Sequence, residues 1–182
     1  SLLQDKVVPR VGIYDLWSTD HEAKKGFSWS VVEKYKWPNK IEAGYDLNIN
    51  NYKNKIAKRI LKDMGFDFSK WYVCLHVRES GFRDDSGRRE YRNSDINNYL
   101  SAIKVITDSG GVVVRMGDST MTPLPELPNV IDYPFTKQKN SLLDLYLIKH
   151  CRFYLGTDSG IMDTARMFNK DTLLTNMVHW IF

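Results

Sequence analysis

W-Y-V-C-L-H-V-R-E-S-G-F, Trp71 to Phe82, decides how this chain is read. The apolar run from Tyr72 to Val77 predicts a buried strand over Tyr72–Arg78. That strand ends in His76, Arg78 and Glu79, and a turn-forming Ser80-Gly81 follows at once. A histidine alone in an apolar strand is more often packed core than ligand. Arg78, two residues on, lies on the same side of the strand as His76, which turns the reading toward a ligand site at the strand's end.

Downstream of this stretch the pattern is regular. Ser94 is expected to cap a helix whose apolar face is Ile96, Tyr99, Leu100, Ile103 and Ile106, and Gly110-Gly111 ends it. Val112–Met116 reads as a strand, and a Pro-rich loop from Pro123 to Pro128 leads to another at Val130–Tyr133. Ser141–Lys149 predicts a helix, Arg152–Leu155 a strand, Ser159–Phe168 a helix and Thr172–Thr175 a last strand. Strands alternating with helices imply right-handed crossovers. The expected fold is therefore α/β: a Rossmann-like parallel sheet with helices on both faces, over residues 71–182.

Upstream, Asn50 or Asn51 caps a helix in which Tyr52, Ile56, Ile60 and Met64 recur every four residues beside Ala57 and Leu61, with Gly65 as its stop. Residues 1–70 are read as an N-terminal segment or partial first lobe ending in this interlobe helix. Val7–Tyr14 is expected to hold a short strand, and Trp17, Trp29 and Trp37 to pack. The chain starts without Met and ends abruptly on His179-Trp180-Ile181-Phe182, so it is expected to be a fragment truncated at its C-terminus.

The chain has 182 residues, 42% hydrophobic and 26% charged, which fits a soluble protein with a real core. Its longest apolar runs are about six residues, far from the roughly 20 that span a bilayer. The net charge of +4 permits an anionic ligand, but acids and bases are interspersed, so nucleic acid is not expected as a partner. Cys74 and Cys151 form no CxxC and are expected to be buried thiols. His21, His150 and His179 are isolated and no cluster has metal-ligand spacing, so no metal site is expected.

Three predicted strands end alike. The first runs into His76, Arg78 and Glu79, the second into Gly117-Asp118-Ser119, and the fourth into Gly156-Thr157-Asp158-Ser159-Gly160, which opens a helix. Parallel strands point their carboxyl ends the same way, so these loops converge on one face. Gly156, Ser159 and Gly160 would let backbone amides approach an oxyanion, and the helix N-terminus adds partial positive charge. Thr157 and Ser159 add hydroxyls, Arg78 a fork suited to a diphosphate, and Asp118 or Asp158 an acceptor for a ribose, sugar or base. Neither GxxxxGKS/T nor GxGxxG is present.

In order, H-V-R-E (76–79), Y-R-N-S-D-I-N-N-Y (91–99), V-V-R-M-G (113–117), I-D-Y (131–133) and C-R-F-Y-L-G-T-D-S-G-I (151–161) resemble motifs of bacterial glycosyltransferases encoded with surface-polysaccharide genes. These are themselves similar to fucosyltransferase-like enzymes of the GT-B class. The resemblance covers Trp71 to Asn176. It implies a GT-B donor-binding lobe and metal-independent transfer from a nucleotide diphosphate sugar to a glycan or lipid-linked acceptor. It implies no cofactor beyond that donor substrate, and a cytoplasmic setting, at the inner face of the membrane where the enzyme associates peripherally. Arg78 resembles the arginine that holds the donor's diphosphate, and His76 would orient that group. Gly117 and Asp118 lie near the nucleotide, and Thr157 to Gly160 resembles the phosphate loop. Many relatives carry a second arginine where this chain has Glu79, which weakens a guanosine-diphosphate-fucose donor and offers a carboxylate base.

The stretch from Glu79 to Asn93 carries Arg83, Asp84, Asp85, Arg88, Arg89, Glu90 and Arg92. It reads either as a solvated loop or as an acceptor-binding lid. Arg92 bridges loop and helix or reaches a phosphate. Asp84 is a second candidate base, and Asp95 is a dipole partner for its helix. Two other readings stand beside the transferase: a non-catalytic module that binds a nucleotide or glycan phosphate in regulation or assembly, and a scaffold that keeps the fold without a site.

Overall fold

The structure is a computed structural model that describes residues 48–82 and 90–176. These fall in one compact unit, Tyr45–Trp180. The sequence readings for residues 1–47, the charged residues 83–89 with Asp84, and His179 lie outside the described residues.

Five strands form one parallel sheet: β1 (Tyr72–His76), β2 (Val112–Arg115), β3 (Val130–Asp132), β4 (Tyr154–Gly156) and β5 (Thr172–Leu174), in the order β3-β2-β1-β4-β5. Four α-helices are described: α1 (Asn51–Asp63), α2 (Leu100–Asp108), α3 (Ser141–His150) and α4 (Gly160–Met167). The chain builds outward from β1 through β2 to β3, then crosses to the other side of β1 for β4 and β5. The strand order therefore reverses between β1 and β4, the position beyond whose carboxyl edge doubly wound sheets bind their ligands.

Both faces of β1 are buried, so its alternating side chains feed two cores. Tyr72 and Cys74 join Val112, Val114 and Tyr154 beneath α1, α3 and α4, whose Ala57, Leu61, Leu143, Leu147, Met162 and Ala165 are buried against them. Val73, Leu75 and Val77 join Val113 and Leu155 beneath Ile103 and Ile106 of α2. The helices thus cover both faces, as expected of the Rossmann-like α/β fold. Each fully buried leucine contributes about 1.5–3 kcal/mol. Cys74 and Cys151 are buried free thiols.

The helix before Trp71 begins where expected: Asn50 accepts from the Lys53 amide at 2.9 Å, and Gly65 takes φ 81° after its end. Its Ala57 and Leu61 sit in the same core as α3. Tyr52 lies off the buried stripe and is 73% exposed. The cap expected of Ser94 is made instead by Asp95, which accepts from the Asn97 amide and opens a 3-10 turn, Ile96–Tyr99, that runs into α2.

Candidate functional site

The carboxyl ends of β1 and β4 are joined by backbone. In their register His76 faces Gly156. Gly156 has φ 149°, and a Cβ there would fall inside the His76 carbonyl. Only glycine suits this position, and the reason is the close approach of two strands rather than access for a ligand. The Thr157 amide then donates to the His76 carbonyl at 3.0 Å, and the Arg78 amide donates to Thr157 Oγ1 at 2.9 Å. Thr157 is buried, so its hydroxyl ties the two strand exits together instead of standing open to a phosphate.

Around this junction the structure gathers most of the residues singled out from sequence. His76 is 8% exposed, and its Nδ1 makes no hydrogen bond among the described residues. Burial pulls its pKa down to about 4; Asp118 opposes, and the Arg115 and Arg78 cations add to the fall. It is a neutral imidazole near pH 7, able to donate or accept hydrogen bonds but carrying no charge. Arg78 is half-buried, and its Nε donates to Asn93 Oδ1 at 3.2 Å. Asn93 is held in turn by Asn176 Nδ2, which donates to its carbonyl at 3.1 Å.

Beyond β4, Ser159 caps α4. Its Oγ accepts from the Met162 amide at 3.4 Å and lies 3.3 Å from the Tyr154 hydroxyl. Tyr154 also donates to the Thr157 carbonyl at 3.0 Å, so a buried tyrosine fixes the turn from below. Gly160 is exposed, with open space where a Cβ would stand. Arg92 Nη2 donates to Asp158 Oδ2 at 3.0 Å and to its carbonyl at 3.3 Å.

Asp118 and Gly117 follow β2 on the other side of His76. Asp118 Oδ1 accepts from the Thr120 amide at 2.8 Å and from its hydroxyl, closing a tight turn. Gly117 has φ 141°, and a Cβ there would collide with the Met121 sulfur. Its backbone conformation, rather than the flexible methionine end, is what favours glycine here.

Glu79 is tied into the fold. Its Oε1 accepts from Arg115 Nη2 at 2.6 Å, and its Oε2 from the Thr122 amide at 2.7 Å. Both carboxylate oxygens are thus engaged, one by a buried guanidinium and one by a backbone amide. Sequence reasoning passed over the other half of this network. Arg115 is fully buried; its Nη1 donates to the Thr122 carbonyl and to Asp132 at 3.3 Å, and Asp132 Oδ2 accepts from the Leu124 amide at 2.8 Å. One guanidinium thereby fastens the loop after β2 between the ends of β1 and β3. The signal was available: an arginine inside the apolar run V-V-V-R-M has to be paired to be tolerated.

The candidate residues lie along the carboxyl edge of the sheet. A groove of about 430 Å³ lies between α2 and the segment from Pro125 to Asn129, and none of the candidate residues lines it. Among the described residues, no group of three His, Cys, Asp or Glu could hold a metal ion, and no helix is long and apolar enough to cross a membrane. What the junction offers is a fixed cation at Arg78, a neutral histidine with an unused nitrogen, and the amides at the start of α4. These are means of binding an anion.

Neither a protein-family model nor a curated protein sequence matches this chain. Among solved structures it is similar to ADP-heptose LPS heptosyltransferase II of E. coli, with a TM-score of 0.52 and 14% identity over 70% of this chain and 38% of that one. It is also similar to a family 9 glycosyl transferase from Veillonella parvula, with a TM-score of 0.52 and 11% identity over 71% of this chain and 36% of that one. At these identities the likeness is one of fold. The Rossmann-like lobe seen here also occurs in both of these sugar transferases, and the chain spans well under half the length of either.

Proposed function

We propose that this chain carries the donor-binding lobe of a GT-B glycosyltransferase, which moves a sugar from a nucleotide diphosphate sugar to a glycan or lipid-linked acceptor. The observation that carries the reading is the reversal of strand order between β1 and β4. There His76, Arg78 and the start of α4 come together. The fold shared with two sugar transferases supports it, as does the ordered run of motifs from His76 to Ile161.

In this reading Arg78 and the amides opening α4 hold the donor's diphosphate and stabilise it as it departs. His76, neutral, hydrogen-bonds the diphosphate or the nucleotide. Gly117 and Asp118 border the nucleotide. Transfer needs no metal, because the charge of the leaving group falls on Arg78 and the helix N-terminus. Synthesis of surface polysaccharide at the cytoplasmic face of a membrane is the setting that the motif resemblance favours.

One observation favours the second reading, a module that binds a nucleotide or glycan phosphate without turnover: Glu79 has both oxygens engaged. Calorimetric titration with a panel of nucleoside diphosphates and their sugars, without metal, tests both. Saturable binding of one nucleotide, lost in Arg78→Ala while the melting temperature is kept, is the expected result. Wild-type binding by Arg78→Ala would overturn the site. Binding with no sugar released onto any acceptor by the full-length protein would select the module.

A further inference from the structure

Asp158 puts a carboxylate inside the turn that is proposed to take phosphate. It lies between Thr157 and Ser159, just before α4, where the helix dipole already attracts negative charge. Among the described residues it pairs with Arg92, through the 3.0 Å contact to Oδ2 and the 3.3 Å contact to the carbonyl. The pair is largely shielded, with side chains 18% and 21% exposed. The Arg92 Nε is buried and makes no hydrogen bond among the described residues. His76, 8% exposed, adjoins the same turn through its carbonyl, and its Nδ1 also makes no hydrogen bond among the described residues. Asp163, in the first turn of α4, belongs to the same charge cluster: burial raises its pKa, Asp158 raises it further, and Arg166 and Arg92 oppose.

We propose that Asp158 is an internal counter-anion that holds Arg92 until a diphosphate takes its place, making Arg92 the second cation of the site beside Arg78. This rests on the diphosphate-binding reading above. An incoming phosphate meets the Asp158 carboxylate as a like charge, and both compete for the same guanidinium. The exchange lowers affinity for any anion too weak to displace the carboxylate, so it acts as a filter against inorganic phosphate and stray acids. Removing the Asp158 charge should therefore tighten anion binding. Loss of an ordinary structural ion pair has the opposite effect or none.

Inorganic pyrophosphate is the probe, titrated by calorimetry into the whole chain without metal. Asp158→Asn is expected to bind it about tenfold more tightly than wild type, and Arg92→Ala more weakly. The gain should vanish in the Arg92→Ala, Asp158→Asn double variant, because the carboxylate acts through that arginine. Asp158→Ser provides the same test should the asparagine variant melt early. Pyrophosphate bound by wild type, lost in Arg78→Ala, but no tighter in either Asp158 variant overturns the counter-anion and leaves the donor site standing. A gain that persists without Arg92 also overturns it. No binding by wild type or by either Asp158 variant overturns both.

Discussion

The backbone amide of Arg78 donates to Thr157 Oγ1 at 2.9 Å, across 79 positions of sequence. With the return bond from the Thr157 amide to the His76 carbonyl, it locks the exit of β1 to the exit of β4. The arginine of the proposed site is therefore aimed by a residue on the neighbouring strand, and its guanidinium is steadied by Asn93 from the loop. Two elements that meet only in the folded state define where one charge stands.

Replacing Thr157 by valine keeps its volume and removes the acceptor. The Arg78 amide is then left without that partner, which costs about 1–3 kcal/mol. We expect Thr157→Val to lower the urea midpoint and to weaken pyrophosphate binding together. Thr157→Ser, which keeps the hydroxyl, should restore the binding even where stability is not fully regained. Undiminished binding in the valine variant would show that Arg78 needs no such support.

Much of this was legible in the sequence. The run Tyr72–Val77 announced a strand buried on both faces, because such a strand needs no polar alternation. The repeated ending of strands in small or charged residues announced a carboxyl-edge site. What could not be read was how the polar groups would be used. Gly156 and Thr157 looked like a cradle for phosphate, yet the strand register makes the first a packing glycine and the second a tie between strands. Glu79 looked free because its partners, Arg115 and Thr122, lie 36 and 43 positions away. The stripe of α1 likewise predicts burial but not against which neighbour. Tertiary partners decide these roles, and local pattern does not carry them.

Glu79 can be tested as an anchor against its alternative as a base. Arg115 is fully buried, and removing one of its carboxylates leaves Asp132 as its remaining anion. We expect Glu79→Ala to destabilise the fold by about 2 kcal/mol, with the loss shared by Glu79→Gln in smaller degree. Ligand affinity should fall only as the loop after β2 loosens. A general base behaves otherwise: its loss lowers kcat in the full-length enzyme and leaves the urea midpoint alone. A large fall in kcat at unchanged midpoint would return Glu79 to chemistry.

His76 makes the fold sensitive to acid. Its folded pKa of about 4 lies below its ordinary value of 6.5 because burial disfavours the imidazolium. Between those two pH values the unfolded chain binds more protons than the folded one, so stability rises with pH across the window. The contribution is fully present above pH 6.5 and is lost as pH falls toward 4. It amounts to about 3 kcal/mol at most. His150, whose pKa is also lowered, first by burial and then by Lys149, Lys170 and Lys58, tilts the profile in the same sense. Urea midpoints of wild type, His76→Gln and His150→Gln at several pH values between 4.5 and 7.5 separate the two. The slope should flatten most in His76→Gln, whatever that variant's absolute stability. An unchanged slope there would mean that His76 can be protonated in place. An imidazolium beside Arg78 would then add a second charge to the anion site as pH falls, and pyrophosphate binding should strengthen below pH 6.5 instead of merely following stability.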